Sequence, residues 1–201
     1  MDKHTEEEKD LLKEIGNIGG GNALSSLSSM LERPLALGIP SCHVIAREDV
    51  GNLLNDPDAL YAGVSMTMTG TIDCMLAVLL DKQFAELIVH VLDPDEPVID
   101  VTDLTEIQKS ALSEVGNIMG NSYVTAIGTM LDLHIDPSVP RIVVDEGHRV
   151  LERFLDDHTS ELGRLFLINS AFKTGDKTLE SCILLCPTDE SLATMLEKLD
   201  F

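Results

Sequence analysis

Glu14 and Asn17 stand three residues apart, and Glu114 and Asn117 repeat the spacing. On a helix this puts both side chains on one face, within reach of a single partner. A carboxylate and a carboxamide do not make a nucleophile with its base. The carboxylate can pair a cation, and the carboxamide, donor and acceptor at once, can orient a water without charging it. Each pair belongs to a longer polar stripe with i, i+4, i+7, i+11 spacing: Asp10, Glu14, Asn17 and Gly21 in one, Ser110, Glu114, Asn117 and Asn121 in the other. An isolated Glu-x-x-Asn is ordinarily a solvated helix face. Recurrence in the same register, beside Gly16, Gly19, Gly20 and Gly21 and again beside Gly116 and Gly120, makes these pairs candidate sites. A glycine inside a helix costs roughly 1 kcal/mol relative to alanine, and close approach of another backbone is the expected compensation.

The elements that must position these residues follow from an internal repeat of one hundred residues. Glu14-Ile15-Gly16-Asn17-Ile18 returns as Glu114-Val115-Gly116-Asn117-Ile118, and the match runs without a gap to Met30-Leu31 against Met130-Leu131 and Pro40 against Pro140. Upstream, Thr5-x-x-Glu8 and Thr105-x-x-Gln108 read as capping boxes. Each half therefore opens with a helix from near Thr5 or Thr105 to about Leu31 or Leu131, long enough to lie across a sheet.

In the first half the pattern predicts a strand over Pro40–Ile45, a short helical turn over Val50–Leu54, strands over Tyr61–Thr69 and Thr71–Leu80, and a helix over Lys82–Leu92. In the second it predicts a strand over Arg141–Val144, a helix over Val150–Leu155, strands over Leu165–Phe172 and Thr178–Leu185 around Gly175-Asp176, and a helix over Glu190–Leu199. Asp93-Pro94-Asp95-Glu96-Pro97 marks the junction. Neighbouring strands rather than strict alternation favour α+β, with helices layered on a mainly antiparallel sheet. Three strands per half bury their faces poorly alone. The expectation is one domain, residues 1–201, of two pseudo-symmetric repeats (about 1–97 and 98–201) sharing one sheet.

Composition narrows the chemistry. Fourteen Lys and Arg against 35 Asp and Glu give a formal charge of −21, which excludes a phosphate-neutralising nucleic-acid footprint and opposes binding to anionic membrane. No apolar run reaches the roughly 18 residues of a membrane span and no signal peptide is visible, so a cytoplasmic protein is expected. Such acidity also suits solubility in strong salt, an expectation about habitat. The four cysteines, Cys42, Cys74, Cys182 and Cys186, form no CxxC pair. Cys182 and Cys186 lie about 13 Å apart on an extended strand and read as buried thiols. The six histidines show no metal spacing, so no metal site is expected. Gly16-Asn17-Ile18-Gly19-Gly20-Gly21 lacks the Gly-Lys-Ser/Thr of a phosphate loop and follows no strand.

Asp10, Glu14, Asn17 and Pro40, with 22 residues between Asn17 and Pro40, resemble the signature Asp/Ser-x3-Glu-x2-Asn-x22-Pro of the CheC, CheX and FliY phosphatases of bacterial and archaeal chemotaxis. Ser110, Glu114, Asn117 and Pro140 repeat it. Two intact copies with no further domain look most like the CheC type. The resemblance implies dephosphorylation of phospho-CheY, the response regulator that signals to the flagellar motor. It implies catalytic roles for Glu14, Asn17, Glu114 and Asn117: the glutamate pairs a lysine of the regulator, and the asparagine positions water in line with the aspartyl phosphate. Asp10 and Ser110 then support the helix face, and Pro40 and Pro140 fix the turn into the next strand. The Mg2+ belongs to the regulator, and CheD is a second implied partner. The rival reading is a non-catalytic adaptor that only binds CheD or the regulator.

Overall fold

A computed structural model describes residues 3–46, 50, 54, 56–92, 104–156 and 165–199. Its first half contains helix α1 (Lys3–Met30), strands β1 (Ala36–Leu37), β2 (Ser41–Ile45), β3 (Leu60–Gly70) and β4 (Cys74–Asp81), and helix α2 (Lys82–Leu92). The second contains α3 (Glu106–Leu131), β5 (Ile135–Pro137), β6 (Arg141–Glu146), α4 (Gly147–Asp156), β7 (Leu165–Thr174), β8 (Lys177–Pro187) and α5 (Asp189–Leu199). The α+β class is as expected. Two strands escaped the sequence pattern, β1 and β5, because segments of two and three residues carry no measurable alternation. The helical turn expected over Val50–Leu54 and the junction over Asp93–Pro97 lie outside the described residues apart from Val50 and Leu54.

The described strands form one sheet in the order β1-β7-β8-β4-β3-β5, with β2 also on β7 and β6 also on β3. Every pairing is antiparallel. The hairpins β3–β4 and β7–β8 are local. The other pairings cross between halves. β2 of the first half lies on β7 of the second (Cys42 opposite Ile168), and β6 of the second lies on β3 of the first (Ile142 opposite Val64). At the centre β4 meets β8, with Val78 opposite Ile183.

Side-chain alternation divides the core between the two faces of this sheet. On β4, Leu76, Val78 and Leu80 join the cluster under α1, α2, α3 and α5. Met75, Ala77 and Leu79 join the cluster under α4. The central strands are covered on both sides, so they read as unbroken apolar runs. The helix-on-sheet layering thus holds for four of the described helices, while α4, with Val50 and Leu54, packs on the opposite face.

Both long helices end alike. Glu32 and Asp132 adopt left-handed φ of 50° and 51°, and the amides of Arg33 and Leu133 donate back to the carbonyls of Ser28 and Gly128. This backward bond satisfies carbonyls that the last turn leaves open. The helix starts differ. Thr105 and Gln108 form the expected capping box: Thr105 N–H donates to Gln108 Oε1 at 3.0 Å, and Gln108 N–H to Thr105 Oγ1 at 3.3 Å. In the first half α1 begins at Lys3, so Thr5 lies inside the helix and is not its cap. No Gly or Pro precedes Thr5 to stop the helix from extending upstream.

Candidate functional site

The apolar stripes of α1 and α3 set the orientation of the polar ones. Leu11 and Ile15 of α1, and Leu112 and Val115 of α3, are buried against the sheet layer. One residue further round, Glu14 and Glu114 are exposed, and so are Asp10, Asn17 and Ser110. Asn117 and Asn121 are half-buried. In both halves the structure brings Glu and Asn onto one helix face, one turn apart.

Glycines let these helices lie close to the sheet. A Cβ on Gly16 would stand 3.2 Å from Ile168 and 3.3 Å from Pro40, and one on Gly116 would stand 2.4 Å from Val64. Ile168 and Val64 face Cys42 and Ile142 across the β2–β7 and β3–β6 pairings. Each candidate Asn therefore follows the residue at which its helix touches the other half's long strand. Between the helices, the ring of Tyr123 occupies the space beside Gly19. The sequence left open what approaches the glycines. For Gly16 and Gly116 it is sheet side chains, and for Gly19 it is α3. Gly21 has nothing within 4 Å of where its side chain would be.

The signature prolines are half-buried and directly precede β2 and β6. Before each stands an exposed apolar residue, Ile39 at 97% and Val139 at 88%. The backbone around them is anchored in the same way in both halves. Gly38 N–H donates to Ala171 O and Ser138 N–H donates to Thr67 O, both at 2.8 Å. Ile39 and Val139 are thus held out toward solvent from fixed turns. The sequence offered a signal for them, an apolar pair at matching positions directly before the repeated prolines, but no reason to expect exposure.

Beside Asn17 a groove of about 280 Å³ is lined by Lys9, Lys13, Asn17, Ile39, Pro40 and Cys42. All these residues belong to the first half. Asp10 accepts from Lys13 Nζ at 2.9 Å, and this hydrogen bond, with the carboxylate's charge, holds the ammonium above its ordinary pKa of 10.5. Ser113 stands where a second copy of that lysine would be, so Ser110 has no equivalent ion pair to make.

The sites differ again beyond the asparagine. Asn121 Nδ2 donates to Asn117 O at 2.9 Å and to Asn117 Oδ1 at 2.8 Å. In the first half the same position is Gly21. Sequence reading placed Asn121 on the polar stripe but gave it no role.

The described residues hold no group of three or more His, Cys, Asp or Glu arranged for a metal ion. His43 is an exposed strand residue, and Gly16–Gly21 is continuous helix rather than a loop. None of the four cysteines is in a disulfide, and Cys74, Cys182 and Cys186 are buried. No helix among the described residues is long and apolar enough to cross a membrane.

A family model described as CheC-like matches residues 7–35 and 107–144, the segments that carry both Glu–Asn pairs. The CheY-P phosphatase CheC of Bacillus subtilis (strain 168) is 30% identical over 142 residues, covering 70% of this chain and 68% of that protein. The chain belongs to the CheC-like family. Among solved structures, Thermotoga maritima FliY superposes on this CheC-like chain with a TM-score of 0.68 at 22% identity, covering 96% of each. A chain of the CheX-CheY-BeF3-Mg2+ complex from Borrelia burgdorferi superposes with a TM-score of 0.53 at 17% identity, covering 86% of this chain and 97% of that one. At those identities the likeness is one of fold. It places the CheC-like α+β sheet, with its two long helices, in a recurrent architecture.

Proposed function

We propose that this CheC-like chain hydrolyses the aspartyl phosphate of a CheY-type response regulator, at two sites, one on α1 and one on α3. The observation that carries the reading is the paired display of one Glu and one Asn a helical turn apart, twice, with Pro40 lining the groove beside Asn17 in the first copy. Glu14 and Glu114 pair a lysine of the regulator. Asn17 and Asn117 enter the regulator's site and hold a water in line with the phosphorus. Water oxygen bonds to phosphorus, the bond from phosphorus to the aspartate oxygen breaks, the water's protons leave with inorganic phosphate, and the regulator's aspartate is left as a carboxylate. An acyl phosphate already has a good leaving group, so positioning and electrostatics suffice. Magnesium is held by the regulator and not by this chain.

Asp10 supports the first site by fixing Lys13 at its rim, and Ser110 takes the place of Asp10 in the second without that ion pair. Pro40 and Pro140 set the turns. The partner named for related proteins, CheY, supports the choice of substrate, and the exposed Ile39, which lines the groove with Asn17, gives the first site an apolar contact next to its polar pair. The same reading makes the protein cytoplasmic and includes CheD as a second partner, tested by co-purification. Mixing the protein with phosphorylated CheY and following phosphate release tests the function. The reading expects acceleration that is lost when Asn17 and Asn117 are both changed to Ala. Unchanged decay with the wild type would leave a non-catalytic adaptor.

A further inference from the structure

We propose that Asn121 is a positioning residue of the second site, locking the Asn117 carboxamide in one orientation, and that Gly21 leaves the first site without this lock. The inference rests on the phosphatase reading for its catalytic part and on geometry alone for its structural part.

The orientation follows from hydrogen-bond chemistry. The carbonyl of Asn117 can only accept, so the atom of Asn121 that faces it at 2.9 Å is the amide nitrogen. That nitrogen carries two protons. The second points to the Asn117 side chain at 2.8 Å, which must answer with its oxygen. A flipped Asn117 would bring two NH2 groups together. Asn121 therefore fixes which end of Asn117 is which. Oδ1 is held on the Asn121 side with one lone pair left, and Nδ2 is turned away from Asn121, where its protons can meet acceptors on an incoming partner. A carboxamide so held can accept from a water with Oδ1 while Nδ2 donates to an oxygen of the partner. Both residues are half-buried, whereas Asn17 is exposed. Asn17 has no side chain one turn on to hold it, because position 21 is glycine with open space around it. Restricting rotation before the partner arrives lowers the entropy lost on reaching the reactive geometry.

The lock predicts inequality between the sites and a way to transfer the advantage. In the Asn17→Ala background, where only the second site acts, Asn121→Ala should lower kcat about tenfold and leave KM within about twofold, since misplacement of a reacting group acts on rate more than on binding. Asn121→Ser keeps a donor for the Asn117 carbonyl but cannot hold the carboxamide as well, so it should lose rate like Ala. If Asn121→Ser instead restores the full rate, Asn121 only supports the helix and the inference fails. In the Asn117→Ala background, Gly21→Asn should raise kcat of the first site. No gain there would contradict the transfer.

A readout independent of activity separates the lock from the phosphatase reading. Side-chain 15N relaxation should give Asn117 a more ordered NH2 group than Asn17, and Asn121→Ala should bring Asn117 down to the level of Asn17. Equal order in wild type and Asn121→Ala would overturn the lock whatever the kinetics. If Asn17→Ala fails to accelerate phosphate loss while Asn117 remains ordered, the lock stands and its catalytic role falls with the phosphatase reading.

Discussion

Tyr123 lays its ring against Gly19, so closely that a Cβ on Gly19 would stand 2.5 Å from it. The same tyrosine is buried, its hydroxyl lies 3.4 Å from Ser170 Oγ, and burial pushes its pKa up to about 12. One side chain thus ties α1, α3 and β7 together beneath the two candidate sites. Gly19→Ala should cost on the order of 1 kcal/mol or more, because overpacking of roughly 1–3 kcal/mol outweighs the gain in helix propensity. Gly21→Ala, in open space, should instead stabilise by up to about 1 kcal/mol. Urea denaturation of both variants checks this. Equal effects would show that Tyr123 moves aside without cost.

The strand exchange between halves leads to a second expectation. Residues 1–97 alone would leave β3 without β5 and β6, β4 without β8, and β1 and β2 without β7. Such open edges pair with other chains rather than remain exposed. We expect each half to aggregate or stay unfolded by circular dichroism, and co-expressed halves to recover a folded complex. A half that unfolds cooperatively by itself would contradict this.

Thiol chemistry gives a third. Cys74, Cys182 and Cys186 are buried, and burial pushes the Cys74 thiol up to about 12 and that of Cys182 higher still. Cys42 is only half-buried, and burial raises its thiol above 9.0 against the opposing pull of Lys13. The thiolate is the reactive form. A disulfide reagent near pH 8 should therefore modify Cys42 alone in the native protein, more slowly than a free thiol and faster as pH rises. All four should react after denaturation. Rapid reaction of two or more thiols in the native state would show that the sheet opens readily.

Salt provides a fourth. At a formal charge of −21, self-repulsion weakens the fold and like-charge repulsion would slow encounter with any acidic partner, and salt screens both. Thermal stability should rise with salt, and association with CheY should persist or strengthen. A steep loss of binding would mean that the Glu14 and Glu114 ion pairs dominate the contact.

Much of this was legible in the sequence because the repeat fixed the register of everything else. Two occurrences of Glu-x-x-Asn located both candidate sites, and alternating or continuous apolar runs located the six longer strands. The differences between the sites were harder to read. Gly21 and Asn121 occupy matching positions, but only the folded helix shows Asn121 turned back onto Asn117. Exposure of Ile39 and Val139 depends on backbone bonds to Ala171 and Thr67 in the opposite half, which no local pattern encodes. The start of α1 differed from expectation at Thr5 because a capping sequence does not stop a helix when the residues before it can also join.

The central claim is tested most directly by phosphate release from phosphorylated CheY with wild type, Asn17→Ala, Asn117→Ala and the double variant. The account predicts acceleration by the wild type, a partial loss in each single variant that is larger for Asn117→Ala, and spontaneous decay alone in the double variant. A double variant as fast as the wild type would contradict it.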